Sequence, residues 1–131
     1  MIVINKGQSN TVVVTVTEKT TITNPYYLFE FTNDMAKVPK VCIAANVSDA
    51  TERYDKFVIT EQSSSPNNLL GQITLTQKGF WKYKIYAQES STNLVPADAD
   101  ELVEIGKCRV EDTISTSTVY EGQQTTYKVF E

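Results

Sequence analysis

The sequence predicts an all-β protein, a sandwich of about seven strands followed by an extended C-terminal strand or arm. Three observations carry that prediction. Thr, Val, Ile and Tyr are plentiful in the 131-residue chain, and these residue types suit a pleated, half-buried surface. Runs with apolar residues at every second position recur roughly every 10 to 18 residues, separated by Gly, Pro, Asn and Ser clusters. No segment keeps a helical period over three turns.

Element by element, a short apolar start and the turn residues Gly7 to Asn10 precede the first convincing strand, Thr11-Val12-Val13-Val14-Thr15-Val16-Thr17. Asn24-Pro25 breaks the chain. The strand over residues 26–32 then sets Tyr27, Phe29 and Phe31 on one face and Leu28, Glu30 and Thr32 on the other. Residues 38–45 form the next strand, with Val41, Ile43 and Ala45 as one candidate inner face and Pro39 near its start, which suits a strand entrance or edge because proline cannot donate to the ladder. Residues 54–60 turn Phe57 and Ile59 inward, and the polar run 61–68 is an exposed loop.

Residues 72–76 offer Ile73 and Leu75 to the core. After Gly79, Trp81, Tyr83, Ile85 and Ala87 alternate with Phe80, Lys82, Lys84 and Tyr86. A glycine two positions before an inward aromatic resembles the corner where an immunoglobulin-like sandwich switches sheets, which favours a sandwich over a barrel. Residues 89–100 make a long excursion with one helical turn expected around residues 97–102. The strand over residues 103–110 is expected to bury Val103 and Ile105. Gly106 then interrupts the alternation, which signals a bulge or a close backbone approach.

The domain is therefore drawn as residues 1–112, with residues 113–131 as a strand-like arm. Val119, Tyr120, Tyr127, Val129 and Phe130 in that arm need burial and are the candidate interaction residues. Two arrangements satisfy them: addition to an edge of their own domain, or strand addition to a neighbouring subunit.

The chemistry available is narrow. Histidine is absent, which removes Ser-His-Asp and Cys-His catalysis and the HExxH zinc site in their usual forms. Two isolated cysteines make no standard structural zinc site, and no phosphate-cradling or dinucleotide glycine motif occurs. No catalytic, cofactor or metal residue is assigned, and no enzymatic activity is expected. One bridge between Cys42 and Cys108 is conceivable, but the expected strand order separates them, so both are read as free core thiols. Asp98, Asp100, Glu101 and Glu104 lack the glycine-hinged spacing of a calcium loop and read as a solvated acidic patch.

A net charge of -4 argues against a general nucleic-acid binder, and Lys78, Lys82 and Lys84 read as the solvated side of one strand. The opening residues turn polar too soon for a secretory core, and no apolar run approaches the roughly 18 residues a bilayer needs. Neither membrane nor nucleic acid is an expected partner. Production in a cytoplasm follows as an expectation, and without a leader the Asn46-Val47-Ser48 acceptor carries little weight. Tyr26, Tyr86 and Tyr120 fall on less certain faces, where partial burial, sugar binding and protein contacts all remain open.

The Met1-Ile2-Val3-Ile4-Asn5-Lys6-Gly7 start, the segment from Thr21-Ile22-Thr23-Asn24-Pro25 into Tyr26-Tyr27-Leu28-Phe29, the Gly79-Phe80-Trp81-Lys82-Tyr83 corner, Ser91-Thr92-Asn93-Leu94 and Glu104-Ile105-Gly106-Lys107 share one texture. In it the chain resembles the small all-β virion proteins of tailed bacteriophages, including crAss-like phages. The resemblance implies a non-enzymatic structural role in a virion assembled in the host cytoplasm, as a capsid auxiliary, head decoration or head-fibre-associated subunit. Its implied partners are other virion proteins (capsid, fibre or neck subunits) and further copies of itself. The alternatives are a neck or tail component and an adhesin-like carbohydrate-binding module using the loops, Tyr86 and Tyr120.

Overall fold

The computed structural model describes residues 2–48, 53–63 and 65–111. Among them eight strands form two sheets: β1 (Ile2–Asn5), β2 (Ser9–Val14), β3 (Tyr26–Asn33), β4 (Pro39–Ala44), β5 (Asp55–Glu61), β6 (Gln72–Ile73), β7 (Gly79–Gln88) and β8 (Glu101–Glu111). The larger sheet runs β1-β8-β7-β3-β4 and the smaller β2-β5-β6. Their facing sides share one apolar core that includes Phe29, Phe31, Phe57, Ile59, Trp81 and Ile85. Across the layers the Phe57 ring meets Phe29 and Tyr27 edge-on, at centroid distances of 5.0 and 5.3 Å. Such pairs contribute about 0.5–1.5 kcal/mol each beyond area burial. The architecture is thus all-β and sandwich-like.

The strand beyond the expected seven is β1, which grows from the apolar start. Ile2 and Ile4 enter the core while Val3 faces out, and the strand pairs parallel with β8 from Ile2↔Cys108 to Asn5↔Glu111. Four residues are too few to show a period in sequence. The Gly79 corner does join the two sheets, since β6 lies in the smaller and β7 in the larger. Gly79 has φ +108, a backbone open to glycine at low cost, and the Trp81 indole closes the corner by donating to the Gln77 carbonyl at 3.0 Å. Trp81, Tyr83, Ile85 and Ala87 are all buried, as the alternation predicts.

Two expected faces are corrected. On β4 the core residues are Cys42 and Ala44, not Val41, Ile43 and Ala45, because antiparallel pairing sets Cys42 opposite Phe29 and Ala44 opposite Tyr27. Ile43 is buried on the other face, opposite Leu28, and Ala45 is exposed. On β8 Val103 is buried but Ile105 is 61% exposed. Ile85 pairs with Glu104 while Tyr86 pairs with Leu102, so Val103 is the extra residue of a bulge that shifts the later alternation by one. Gly106, Cys108 and Val110 then point inward. Gly106 is a close approach too, since a Cβ there would lie 2.5 Å from the Tyr83 ring. The expected turn around residues 97–102 is a 3-10 turn at Pro96–Asp98.

Cys42 and Cys108 are both free and buried, on strands separated by β7 and β3. Burial pushes each thiol up to about 12, which leaves them as small core apolar groups at neutral pH.

Candidate functional site

The candidate interaction residues Val119, Tyr120, Tyr127, Val129 and Phe130 lie outside the described residues. Trp81 and Tyr83 are core. Tyr86 is half-buried, and its hydroxyl donates to Glu30 at 3.2 Å.

Of the four carboxylates that sequence alone would weigh for chemistry, Asp100, Glu101 and Glu104 each hold two pieces of chain together. Asp100 accepts from the Glu89 amide at 2.9 Å and closes the 89–100 excursion. Glu101 accepts from both the Thr20 and Thr21 hydroxyls and from the Thr21 amide, and those bonds, the Thr20 hydroxyl first, hold its carboxyl below the ordinary range. Glu104 receives the Lys19 ammonium and the Tyr83 hydroxyl. Burial, with Glu104 alongside, pushes the Tyr83 phenol up to about 12. Glu101 and Glu104 therefore strap the connection after β2 to β8, and among the described residues no group of three or more His, Cys, Asp or Glu converges on one point.

Two further acids are buried at opposite ends of β5, and one of them, Glu61, ends that strand instead of opening the expected exposed loop over residues 61–68. Asp55 accepts from the Val16 and Thr17 amides at 2.7 and 2.8 Å, from the Thr17 hydroxyl and from the Asn46 side chain. Glu61 accepts from the Gly7 amide at 2.7 Å and the Leu75 amide at 3.0 Å. A buried carboxylate is tolerated when main-chain donors surround it. Here both fix the points where the chain leaves one sheet for the other. Asn10 supports Glu61: its amide bridges the Asn5, Gln8 and Ile59 carbonyls, and its oxygen takes the Asn5 amide at 2.8 Å.

Two surface features remain. A hollow of about 470 Å³ is lined by Asn24, Tyr26, Asn46, Leu69 and Ser91, with Tyr26 47% exposed. On the outer side of the larger sheet, the β7–β8 register places Lys82 directly opposite Lys107, and Phe80 opposite Arg109. Lys84 lies on the same side. Asp34 faces Lys107 at 3.5 Å and Glu111 pairs with Arg109, which tempers the patch.

The sheet edges differ from one another. β1 is four residues long and β6 two. β4 is sealed: the Asn68 amide donates to the Val41 carbonyl at 2.6 Å and the Gly71 N–H to the Ile43 carbonyl at 2.8 Å. Gly71 also accepts from the Thr60 amide at 2.8 Å, so one residue stitches β4 to β5 across the two sheets. β2 is different. Among the described residues it pairs only with β5, and its six residues Ser-Asn-Thr-Val-Val-Val carry neither charge nor proline.

The groups on its open side follow from β5. Lys56 gives its carbonyl to Val47 and Thr60 its N–H to Gly71, both away from β2. In an antiparallel ladder, residues opposite these direct their own main-chain groups outward as well. Those residues are Val13 and Ser9, with Thr11 between them opposite Val58. Among the described residues, β2 is the long edge that nothing covers.

No protein-family model, curated protein or solved structure matches the chain. The β2 strand was legible in the sequence as an uncharged Thr/Val run. Its openness is a property of pairing, which linear spacing does not carry. Lys107 and Arg109 were missed for the same reason, since only the register brings them beside Lys82.

Proposed function

We propose that this chain is a non-enzymatic structural subunit of a bacteriophage particle, a capsid auxiliary, head-decoration or head-fibre-associated protein built on an immunoglobulin-like sandwich. It docks onto neighbouring virion proteins through a sheet edge, its loops and its C-terminal segment. The observation that carries this reading is the open, uncharged edge of β2 on a frame whose other edges are short or sealed. Exposed edges of that kind recruit other chains, and proteins that work alone blunt them. The carboxylates engaged in fastening the frame support the same reading, as does the sheet-switching corner at Gly79 for its immunoglobulin-like form.

Mass spectrometry of gradient-purified particles of the encoding phage is expected to find the chain in stoichiometric amount. Deleting residues 113–131 is expected to leave the unfolding transition in place and abolish incorporation. Absence of the full chain from particles overturns the proposal, and normal incorporation of the truncated chain removes the arm from it.

The exposed Tyr26 beside the Asn24 amide favours a second reading, a carbohydrate-binding module with its site in that hollow. Aromatic rings and amides together suit the apolar faces and hydroxyls of a sugar. Saturable glycan binding lost on Tyr26→Ala supports it, and a flat glycan screen ends it.

A further inference from the structure

The open side of β2 has the makings of a strand acceptor. Ser9, Thr11 and Val13 direct their N–H and C=O groups away from β5, and no described residue bonds to those main-chain groups. Their side chains are exposed on the outer face of the smaller sheet, where Val13 is 58% and Val58, opposite Thr11, 42% exposed. An incoming strand would gain main-chain bonds at the edge and apolar contact on that face.

The chain supplies a matching segment. Residues 118–131 lie outside the described residues and include Thr125-Thr126-Tyr127-Lys128-Val129-Phe130. This six-residue stretch matches β2 in length, is rich in β-branched and aromatic residues, and holds Tyr127 and Val129 at alternating positions.

Topology decides whose segment it is. β1 and β8 run parallel, so Asn5 and Glu111 finish at the same end, joined by the Lys6 amide to the Glu111 carbonyl at 2.8 Å. From that end residues 6–8 carry the chain from β1, the edge of the larger sheet, to β2, the edge of the smaller. Because Gly71 stitches β4 to β5 on the far side, the open side of β2 faces the β1 side of the molecule. β8 lies inboard of β1. A strand leaving Glu111 for the open side of its own β2 would have to cross the 6–8 connection at the same end. Crossed connections of that kind are rare in folded chains. A neighbour meets no such obstacle.

We propose that the open edge of β2 accepts residues 125–130 of a second copy of this chain as an added strand, and that this exchange links copies to one another. The inference rests on the assembly reading and names its contact.

The test uses the full chain and three single variants. Val13→Lys puts a charge on the acceptor face without touching the core. Thr11→Pro removes an N–H that points away from β5, and Val129→Asp disables the donor. In sedimentation velocity, the wild type is expected to be oligomeric at micromolar concentration and each variant monomeric, with thermal unfolding of the Val13→Lys and Val129→Asp chains unchanged. Mixing those two restores a 1:1 heterodimer, because one retains an intact donor and the other an intact acceptor. Hydrogen exchange at Thr11 and Val13 is expected to slow at least tenfold in the wild type relative to Val13→Lys.

A wild type that stays monomeric, an oligomer that survives Val13→Lys, or a mixture that fails to pair overturns the proposal. A monomer with slow exchange at Thr11 and Val13 also overturns it, in favour of the chain's own segment. Assembly is scored separately. If Val13→Lys is found in particles at wild-type level, the strand exchange is wrong and the assembly reading stands. If the wild type oligomerises by exchange yet is absent from particles, the assembly reading is the one that fails.

Discussion

Replacing Asp55 should cost the fold more than replacing any surface acid, and the size of the loss follows from its partners. The residue is fully buried, and its carboxylate takes the Val16 and Thr17 amides, the Thr17 hydroxyl and the Asn46 side-chain amide. Asp55→Ala strands two main-chain N–H groups, one of them on a fully buried residue, at about 1–3 kcal/mol each. The expected loss is about 2–6 kcal/mol.

Asp55→Asn should lose less. Its remaining oxygen can still serve both main-chain amides, and Thr17 can turn its hydroxyl to accept. Asn46 cannot adapt, because its own oxygen already takes the Ser48 and Lys56 amides. One donor then faces another, for a loss of about 1–2 kcal/mol. Burial raises the Asp55 pKa, but the hydrogen bonds from Thr17, Val16 and Asn46 together outweigh it and hold the carboxyl below its ordinary 3.8. The unfolded chain therefore takes up this proton first as the pH falls. The charge-dependent stability is complete above the unfolded carboxylate range and drains away as the pH drops below about 3.8 towards the lower folded value. Urea titrations of the wild type and both variants between pH 2 and 7 measure this. An Asp55→Ala loss under about 1 kcal/mol, or a gap between wild type and Asp55→Asn that ignores pH, would refute the reasoning.

Gly71→Ala should destabilise by about 1–3 kcal/mol, since φ is +73 and the new Cβ would sit 2.8 Å from the Val58 carbonyl; denaturant midpoints check it. Because the Gly71 carbonyl accepts the Thr60 amide, the same variant is expected to speed amide exchange at residue 60. Gly106→Ala should cost about 1–3 kcal/mol by pressing on the Tyr83 ring, and most of that loss should vanish in a Tyr83→Leu background; an additive double mutant would show that the contact is not the cause.

Where alternation is strict, the sequence was a sufficient guide. Trp81, Tyr83, Ile85 and Ala87 could face only one way, because the residues between them include two lysines. β4 defeated the same reasoning because Val41-Cys42-Ile43-Ala44 is apolar throughout, so either parity would serve. Pairing with β3 chose Cys42 and Ala44, and Ile43 is buried as well, opposite Leu28 on the other face. On β8 the parity read from Val103 was right until the bulge, after which Ile105 is exposed and Gly106 lies under Tyr83. In the sequence Asp55 falls near the start of a strand, Asn10 among turn residues and Glu61 in an expected exposed loop. Their roles depend on hydrogen-bond partners up to 54 positions away in sequence, which no local pattern reports.

These long-range fastenings also bear on how the β2 edge works. Asp55 holds the chain just beyond the end of β2, at Val16 and Thr17, while Asn10 and Glu61 hold its beginning and the 6–8 connection. The strand is thus clamped at both ends and along β5, and among the described residues its outward main-chain groups have no main-chain partner. An edge clamped this way loses little freedom when a strand is added, so more of each new hydrogen bond remains as net affinity. Among the described residues the opposite side of the sandwich, stitched by Gly71, offers no comparable row of groups. The two sides are unlike by construction, and the proposed strand exchange would join copies in a defined direction.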